Sequence, residues 1–452
     1  MRSRLWIGAA AVAAGAVLIG TGTALAWTHG PGERADRHAE AGAQRSRPSH
    51  SASAGRPASR PATPASPATA SPSATSVAPA ATSASPATTV QPAATVTSGA
   101  PAAAPACGAG AFNAEVVKSG DTWTSRNGDR VVYTGTDMLA AVQTSVNNLT
   151  PGRTSKERVV VRGSGTVKAN QWIRLGDYTV LDVCGTITAT GDGAYDYGLI
   201  YARAVHDIEV QHLTIKSSSY YGVFLRDVTN AKLGQITIDG TYIGVRVDVA
   251  KGSTNWSRNI AVDNLTVSNT LSQGMETLRV DGLKVGTVTA HDTGESGLLL
   301  NTTVNAEIGT VDGDNAGAGT GYAAFRMANR NGRIGDSYAT NVHVGLVKAR
   351  QGGRGIFCVS ESGGVLIDRV DIAGTGNHPV LIENCYNVTI ASGSITGPGD
   401  IRIAARAEFP VTSDVTLKNL TVTNAQIVET PCSTRLTVAD VKLAGGATIK
   451  RC

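Results

Sequence analysis

A short apolar phrase recurs along the C-terminal part of the chain, and this repeat limits the possible fold more than any other feature. Copies begin at Ile208, Ile260, Val365 and Val415, among other positions. Each copy alternates apolar and polar residues and is rich in Val, Ile and Thr, which is typical of half-buried strands. Equivalent positions mostly recur every 21–29 residues, and the longer step from Val311 to Val347 predicts an inserted loop.

Each phrase predicts two short strands that meet at a break such as Asp263-Asn264. A third strand follows a polar turn and often begins after Gly, as at Gly244. Three short strands in about 23 residues form one coil of a parallel β-helix. A leucine-rich repeat is the main structural alternative. It is disfavoured because Val, Ile and Thr dominate and helical periodicity is absent.

One amphipathic helix is predicted ahead of the first coil, from Thr136 to Val146. It places Leu139, Val142 and Val146 on one face and has a capping residue in front. A terminal coil exposes strand edges and core, so we expect this helix to cap the open end of the solenoid.

The N-terminal quarter predicts export and display. Residues 1–26 have a basic start, an Ala/Gly-rich apolar run and a small-residue end at Ala26, as in a cleaved signal peptide. An uncleaved membrane anchor is the alternative. Residues 27–106 are mostly Ala, Pro, Ser and Thr and predict a disordered linker, which would suit a tether to a cell envelope. The predicted folded domain is 107–452, in a secreted or extracellular protein.

All six cysteines lie in that domain, and an even number behind an export signal favours disulfides. We expect Cys107 with Cys184 at the N-terminal end and Cys432 with Cys452 at the C-terminal end. Cys358 and Cys385 fall on neighbouring repeats. Zinc is disfavoured, because neither a CxxC pair nor a His/Cys cluster is present. A net charge of +5 on scattered basic residues does not predict nucleic-acid binding.

From Val131 to Ile449 the chain resembles the pectate-lyase-like superfamily of right-handed parallel β-helix proteins. The resemblance lies in an Asp-x-Leu-x-Ala-like capping helix and an N-V-T-I phrase at Asn387–Ile390. It implies an all-β, right-handed, single-stranded parallel β-helix, here of about 10 coils with an N-terminal capping helix. It also implies polysaccharide lyases, hydrolases or binding proteins as functional classes. The N-x-D, D-D, G-H-G and R-x-K elements of polygalacturonases are missing.

Enzymes of this shape bind sugars along one stacked sheet, which the third strands build. Aligning those strands places Asp248 and Glu276 on adjacent coils, with Cα atoms roughly 8 Å apart, which suits an inverting acid–base pair. Glu295 precedes the next strand and joins the candidate catalytic set. Arg246 lies beside Glu276, so a structural ion pair is the alternative interpretation.

Further outward residues are candidates for holding substrate hydroxyls or a uronate carboxylate. The alignment puts Ala324 beside Leu299 in a first outward column, and Arg326, two residues further along the strand, beside Asn301 in a second column. The predicted substrate-binding set is Arg246, Asn301, Arg326, Arg354, Glu383 and Arg402.

Three functions remain open from the sequence. The first is a secreted glycoside hydrolase that acts on a polysaccharide. The second is a lyase acting on a uronate polymer, with Arg326, Arg354 and Arg402 as candidates. The third is a non-enzymatic glycan-binding or adhesion protein. No cofactor is expected; Asp312 and Asp314 are weak candidates for calcium. The stretch from Asp312 to Glu361 combines Arg and Asn with glycines and contains the longest inserted loop. Loops on a rigid scaffold often carry functional residues.

Overall fold

The computed structural model describes residues 105–376 and 378–452. The predicted signal peptide and all but the last two residues of the predicted linker lie outside these ranges. Within them, one helix and thirty-two strands follow one another along the chain. The helix, α1, spans Met138–Asn147.

The strands, in chain order, are β1 (Ala114–Ser119), β2 (Thr122–Asn127), β3 (Arg130–Gly135), β4 (Glu157–Arg162), β5 (Gly165–Lys168), β6 (Ile173–Leu175), β7 (Thr179–Val183), β8 (Thr186–Thr190), β9 (Gly198–Arg203), β10 (His206–Ser217), β11 (Tyr221–Arg226), β12 (Thr229–Asp239), β13 (Ile243–Asp248), β14 (Ser257–Ser268), β15 (Met275–Leu278), β16 (Val280–His291), β17 (Leu298–Asn301), β18 (Val304–Asp314), β19 (Ala323–Ala328), β20 (Val342–Arg350), β21 (Arg354–Cys358), β22 (Ser362–Ala373), β23 (Val380–Glu383), β24 (Cys385–Ile390), β25 (Gly393–Thr396), β26 (Asp400–Ala404), β27 (Ser413–Lys418), β28 (Leu420–Thr423), β29 (Gln426–Glu429), β30 (Thr434–Ala439), β31 (Lys442–Ala444) and β32 (Thr448–Lys450).

These strands form two long sheets. Sheet B has twelve strands in the order β32-β29-β26-β23-β21-β19-β17-β15-β13-β11-β9-β6, one from each coil, and sheet A has the other twenty. The strands of sheet B pair in parallel, each with the next coil, as shown by β13 with β15 and β15 with β17. The predicted parallel β-helix is therefore confirmed. It has more coils than the ten expected, because the first and last coils lack the apolar phrase.

The two short strands predicted in each phrase are one bent strand in the central coils. In β14, Ile260 and Val262 point inward before the bend, and Leu265 and Val267 point inward after it. The phase of the alternation shifts at Asp263-Asn264, where the predicted break lies. Since each inward residue stacks on its equivalent in the next coil, the core is a continuous column of Val, Ile and Leu.

Left-handed residues turn the corners between the sheets. Asn269, Asp292 and Asn315 lie on successive coils with φ of 54°, 52° and 56°. Asn and Asp tolerate this conformation better than other residues with a side chain. The side chains also link the coils, since Asn315 Nδ2 donates to Asp292 Oδ1 at 2.6 Å.

The predicted helix is confirmed and begins after Asp137, whose carboxylate accepts a hydrogen bond from Ala140 N at 3.0 Å. Val142 and Val146 are buried against the first strands, whereas Leu139 is half-buried. An antiparallel β1–β2–β3 meander, which the repeat did not predict, lies beside the helix. Among the described residues, every helix is too short to cross a membrane.

Three disulfides join the cysteines as the sequence predicted. They are Cys107–Cys184, Cys358–Cys385 and Cys432–Cys452. The first closes the N-terminal end, the last closes the C-terminal end, and the middle one joins β21 to the start of β24. Three disulfides and no free thiol suit an oxidising or extracellular environment.

Candidate active site

The outer face of sheet B carries two columns of outward side chains. Phe224, Arg246, Glu276 and Leu299 are neighbours on successive strands. Two residues further along each strand, a second column contains Arg226 and Asp248, and later Asn301. The predicted placement of Asp248, Glu276 and Asn301 on one rigid surface agrees with this register.

The alignment of β19 is wrong by two residues. Leu299 pairs with Arg326, and Arg326 pairs with Phe357, so Arg326 belongs to the first column rather than the second. Ala328, and not Arg326, follows Asn301. The coil has extra residues before this strand, so Tyr322 is not equivalent to the glycines that precede the other third strands.

Asp248 lies at the centre of a charged network. Arg226 binds it in a bidentate manner, with Nε 2.7 Å from Oδ1 and Nη2 2.9 Å from Oδ2. Arg246 Nε approaches the same carboxylate at 3.3 Å, and Arg246 Nη1 pairs with Glu276 Oε2. Asp248 is only 2% exposed. Its position suits a role in holding the two guanidinium groups in place.

Glu276 is more exposed to solvent than Asp248, and it contacts both a charged and a neutral side chain. Its Oε1 accepts a hydrogen bond from Asn301 Nδ2 at 2.9 Å, and Asn329 Nδ2 in turn donates to Asn301 Oδ1 at 2.9 Å. The side chain is partly accessible from the outer face. Glu276 also forms the ion pair with Arg246 that the sequence analysis gave as the alternative interpretation of these residues. This ion pair fixes the carboxylate at the surface of the sheet.

Glu295 has neutral donors. Ser272 Oγ donates to its Oε2 at 2.9 Å, and Gln273 Nε2 donates to the same oxygen. Tyr242 lies close by: burial raises the pKa of its phenol, and the charges of Glu295 and Glu276 raise it further. The charges of both glutamates therefore act on the same tyrosine.

An aromatic patch lies beside these carboxylates, and sequence reasoning missed it. Trp172 stacks on Tyr197 with ring centroids 4.7 Å apart, and Tyr220 stacks on Tyr242 at 4.5 Å. The patch consists of Trp172, Tyr195, Tyr197, Tyr201, Tyr220, Tyr221, Phe224 and Tyr242. Tyrosines recur in the turn before three consecutive third strands, at Tyr197, Tyr220 and Tyr242, and that spacing was the available signal.

Arginines and aromatic rings alternate further along sheet B. The guanidinium of Arg326 lies 4.5 Å from the Tyr322 ring centroid and 5.2 Å from that of Phe357. The guanidinium of Arg354 lies 4.8 Å from the same Phe357 ring. We call Arg326 and Arg354, which share the Phe357 ring, the arginine pair.

Arg354 is strongly desolvated. It is 7% exposed, and its Nε has no hydrogen-bond partner among the described residues. Burial lowers its pKa to about 10; nearby Glu383 opposes that shift, and Arg326 adds to it. A buried guanidinium with unused donor capacity suits a planar anion such as a carboxylate.

Glu383 and Arg402 lie on the next coils. Arg406 Nε is 3.0 Å from Glu383 Oε1, and burial raises the pKa of this carboxyl despite the arginine. Arg402 is 3.9 Å from Asp400. Burial lowers the pKa of His378, and the charges of Arg354 and Arg402 lower it further. Two arginines of the predicted substrate-binding set, Arg354 and Arg402, thus disfavour protonation of His378.

The groups that suggested metals have other partners. Asp312 Oδ2 accepts a hydrogen bond from Lys348 Nζ at 2.8 Å, which uses one of the predicted calcium ligands. Cys107, Asp182 and His212 also lie close together. The Cys107 sulfur is in a disulfide, and Asp182 is bound by Arg158 and by the Gly108 amide, so this grouping fits a structural role.

No family model matches the sequence, and no curated protein matches it. Among solved structures, the chain is similar to the A-module of the mannuronan C-5 epimerase AlgE4 from Azotobacter vinelandii. The identity is 12%, the TM-score is 0.45, and the match covers 70% of this chain and 93% of that one. The A-module of AlgE6 from the same organism gives 15% and 0.31, with coverage of 70% and 94%. Nothing about substrate or chemistry follows at these values.

Proposed function

We propose that the protein is a carbohydrate-active enzyme that binds a polysaccharide along the outer face of sheet B. The observation that carries the proposal is the order of groups on that face. An aromatic patch comes first, then a carboxylate–arginine network, then the arginine pair. Aromatic faces provide flat apolar surfaces for sugar rings, and rigid strands keep the groups at fixed spacing.

Hydrolysis is the first candidate reaction. It needs one carboxyl group that donates a proton to the leaving oxygen and a second that activates water or attacks the sugar. Glu295, which accepts hydrogen bonds from Ser272 and Gln273, suits the proton donor. Glu276, which faces the Arg246 guanidinium, suits the carboxylate. Asp248 is enclosed by two arginines and suits the positioning of both guanidinium groups rather than a direct role.

Elimination on a uronate polymer is the second candidate, and the arginine pair favours it. A lyase must neutralise the uronate carboxylate and remove the proton from the adjacent carbon. The C–O bond to the leaving sugar then breaks, a C=C bond forms, and the leaving oxygen takes up a proton. Arg326 suits the first task. Arg354, which shares the Phe357 ring with Arg326, is the candidate base for the second.

The experiment incubates the full chain with neutral and uronate-containing polysaccharides and measures reducing ends and ultraviolet absorbance together. Reducing ends without absorbance, lost in Glu276→Gln and Glu295→Gln, would support hydrolysis. Absorbance from an unsaturated product, lost in Arg354→Ala, would support elimination. Glu307→Gln is the matched control, because Glu307 lies on sheet A beside His343. A protein that binds but gives neither signal would contradict the enzyme proposal and favour a glycan-binding protein.

A further inference from the structure

A cleft lies away from the outer face of sheet B, where the inserted loop meets the first strands of later coils. The loop, residues 329–341, joins β19 to β20 and adds no strand to either sheet. The cleft between this loop and the later coils has a volume of about 420 Å³. The walls include Arg333, Tyr338, Glu361, Tyr386, Asn387 and Asp414.

The loop is fixed in place by amide hydrogen bonds. Asn341 Nδ2 donates to Gly332 O and to Ala339 O, both at 2.7 Å, which closes the loop on itself. Asn387 Nδ2, from β24, donates to Tyr338 O at 2.8 Å and ties the loop to the solenoid. The cleft is therefore preformed, so a ligand need not order it on binding.

Two tyrosine rings form its aromatic wall. The centroids of Tyr338 and Tyr386 are 4.9 Å apart, with the planes inclined at 48°. Both hydroxyls are engaged by the backbone: Tyr338 Oη donates to Glu361 O, and Tyr386 Oη donates to Pro410 O at 3.3 Å. The hydroxyls anchor the rings, which leaves ring surface to line the cleft.

Charges around the cleft compensate one another pair by pair. Arg333 binds Asp336 at 2.7 Å, and Arg330 binds Glu361 at 3.0 Å. Arg435 Nη2 binds Asp414 at 2.6 Å. The cleft thus offers carboxylate acceptors without an excess of either charge, in contrast to the arginine pair on sheet B. Such a lining suits a ligand that has many hydroxyl donors and no charge.

We propose that this cleft is a second carbohydrate-binding site, and that it takes an uncharged sugar unit. The ring of the sugar lies against Tyr338 and Tyr386, and its hydroxyls donate to Glu361 and Asp414. This site does not depend on whether sheet B is catalytic. A polysaccharide with both neutral and uronate units would engage the two sites with different segments.

The test measures binding of the full chain to labelled neutral hexasaccharides of glucose, mannose and xylose, and to a hexamer of galacturonate. In Tyr386→Ala we expect the affinity for a neutral hexasaccharide to fall about tenfold or more, because an aromatic anchor is lost. Tyr386→Phe keeps the ring and should stay within about twofold of the wild type. Tyr220→Ala, in the aromatic patch, reports any binding on sheet B. Phe112→Ala removes an exposed aromatic side chain outside both surfaces and should leave the binding unchanged.

Thermal unfolding of each variant reports whether the fold is retained. An unchanged affinity in a folded Tyr386→Ala variant would overturn the proposal. So would a wild-type chain that binds none of the neutral hexasaccharides. If Tyr220→Ala removes the binding and Tyr386→Ala does not, the sugar lies on sheet B and the cleft is not a site.

Discussion

Asp248 shows how a single buried carboxylate organises the outer face of sheet B. It neutralises Arg226 and Arg246, and Arg246 in turn holds Glu276. Removing one member of a buried ion network leaves its partners without compensation, which costs more than the network contributes. The side chain therefore matters for stability as well as for the geometry of the candidate site.

We predict that Asp248→Asn lowers the free energy of unfolding by about 3 kcal/mol, because two largely buried guanidinium groups lose the counter-charge that they share and keep only their outer partners, Asp196 and Glu276. Urea unfolding followed by circular dichroism measures the change. Asp263→Asn is the matched control: Asp263 makes an exposed ion pair with Lys232, and its loss should stay within about 0.5 kcal/mol. Equal effects of the two substitutions would show that Asp248 is not a structural centre.

We predict that protonation of His343 makes the free energy of unfolding depend on pH. Partial burial alone would lower its pKa, but hydrogen bonds with Asp368 at 2.8 Å and Glu307 at 3.1 Å outweigh burial and raise the pKa. A raised pKa in the folded state gives stability that is complete below the unfolded value of ~6.5 and is lost as pH rises through the folded value. The side chain is 39% exposed, so the contribution is below about 1 kcal/mol.

We expect wild type to exceed His343→Gln in unfolding free energy near pH 5.5, and the difference to vanish near pH 8.5. Parallel urea titrations at both values measure it. The same comparison in an Asp368→Asn background should give a smaller pH-dependent difference. A gap that persists at pH 8.5 would mean that packing, and not protonation, accounts for the role of His343.

The columns of sheet B were predictable where the coils have regular length. Alternation and the position of Gly244 fixed the outward directions of Arg246 and Asp248. The slip at Arg326 arose because a one-dimensional alignment cannot place extra residues within a coil. The pairing of arginines with carboxylates depends on side-chain rotamers across neighbouring coils. The sequence therefore could not predict that both Arg226 and Arg246 bind Asp248.

At the scale of the element, a stripe of glycines lets the coils stack closely at the start of the sheet B strands. A Cβ on Gly274 would lie 2.6 Å from Gly297 O and 2.7 Å from a methyl group of Val267. Gly222, Gly244 and Gly297 meet similar constraints. The repeat showed that Gly often precedes the third strand of a coil. Close packing against the neighbouring coil explains this preference.

We predict that Gly274→Ala lowers the free energy of unfolding by about 2 kcal/mol, because the added methyl group meets backbone on one side and core on the other. Gly176→Ala is the control, since the nearest atom, Arg153 Nη2, would be 3.8 Å away. It should be neutral or slightly stabilising. Thermal and urea midpoints of the two variants make the comparison, and a tolerated Gly274→Ala would show that the coils can separate locally.

The elements themselves were predictable to different degrees. Period-two alternation of β-branched residues identifies strands directly, and Asp137 with the apolar face behind it identified α1. The β1–β2–β3 meander was missed because its strands carry polar residues, as in Thr122–Asn127, and belong to no repeat. The bent strands were predicted as pairs because a change of phase resembles a break.

At the scale of the whole molecule, the solenoid sets the length of substrate that the outer face can hold. Tyr201 in β9 and Arg402 in β26 are separated by eight strand spacings in sheet B. At ~4.8 Å each these span ~38 Å. A sugar unit in an extended polysaccharide is about as long as one strand spacing. A bound chain can therefore contact the aromatic patch, the carboxylates and the arginine pair at the same time.

Binding energy from remote subsites can lower the barrier at the reacting bond, so truncated substrates lose rate as well as affinity. We therefore predict that kcat/KM of the proposed enzyme rises with substrate length up to about eight sugar units and then levels off, because sheet B offers about eight spacings between its outer groups. Steady-state rates on a series of defined oligosaccharides measure the profile. Trp172→Ala should reduce the rate on the longest substrates far more than on the shortest, since Trp172 precedes β6, four strand spacings from Glu276 in β15, and only long chains reach it. Equal rates on a trimer and an octamer would restrict the working site to one or two coils around Glu276, and the aromatic patch would then have to serve another purpose.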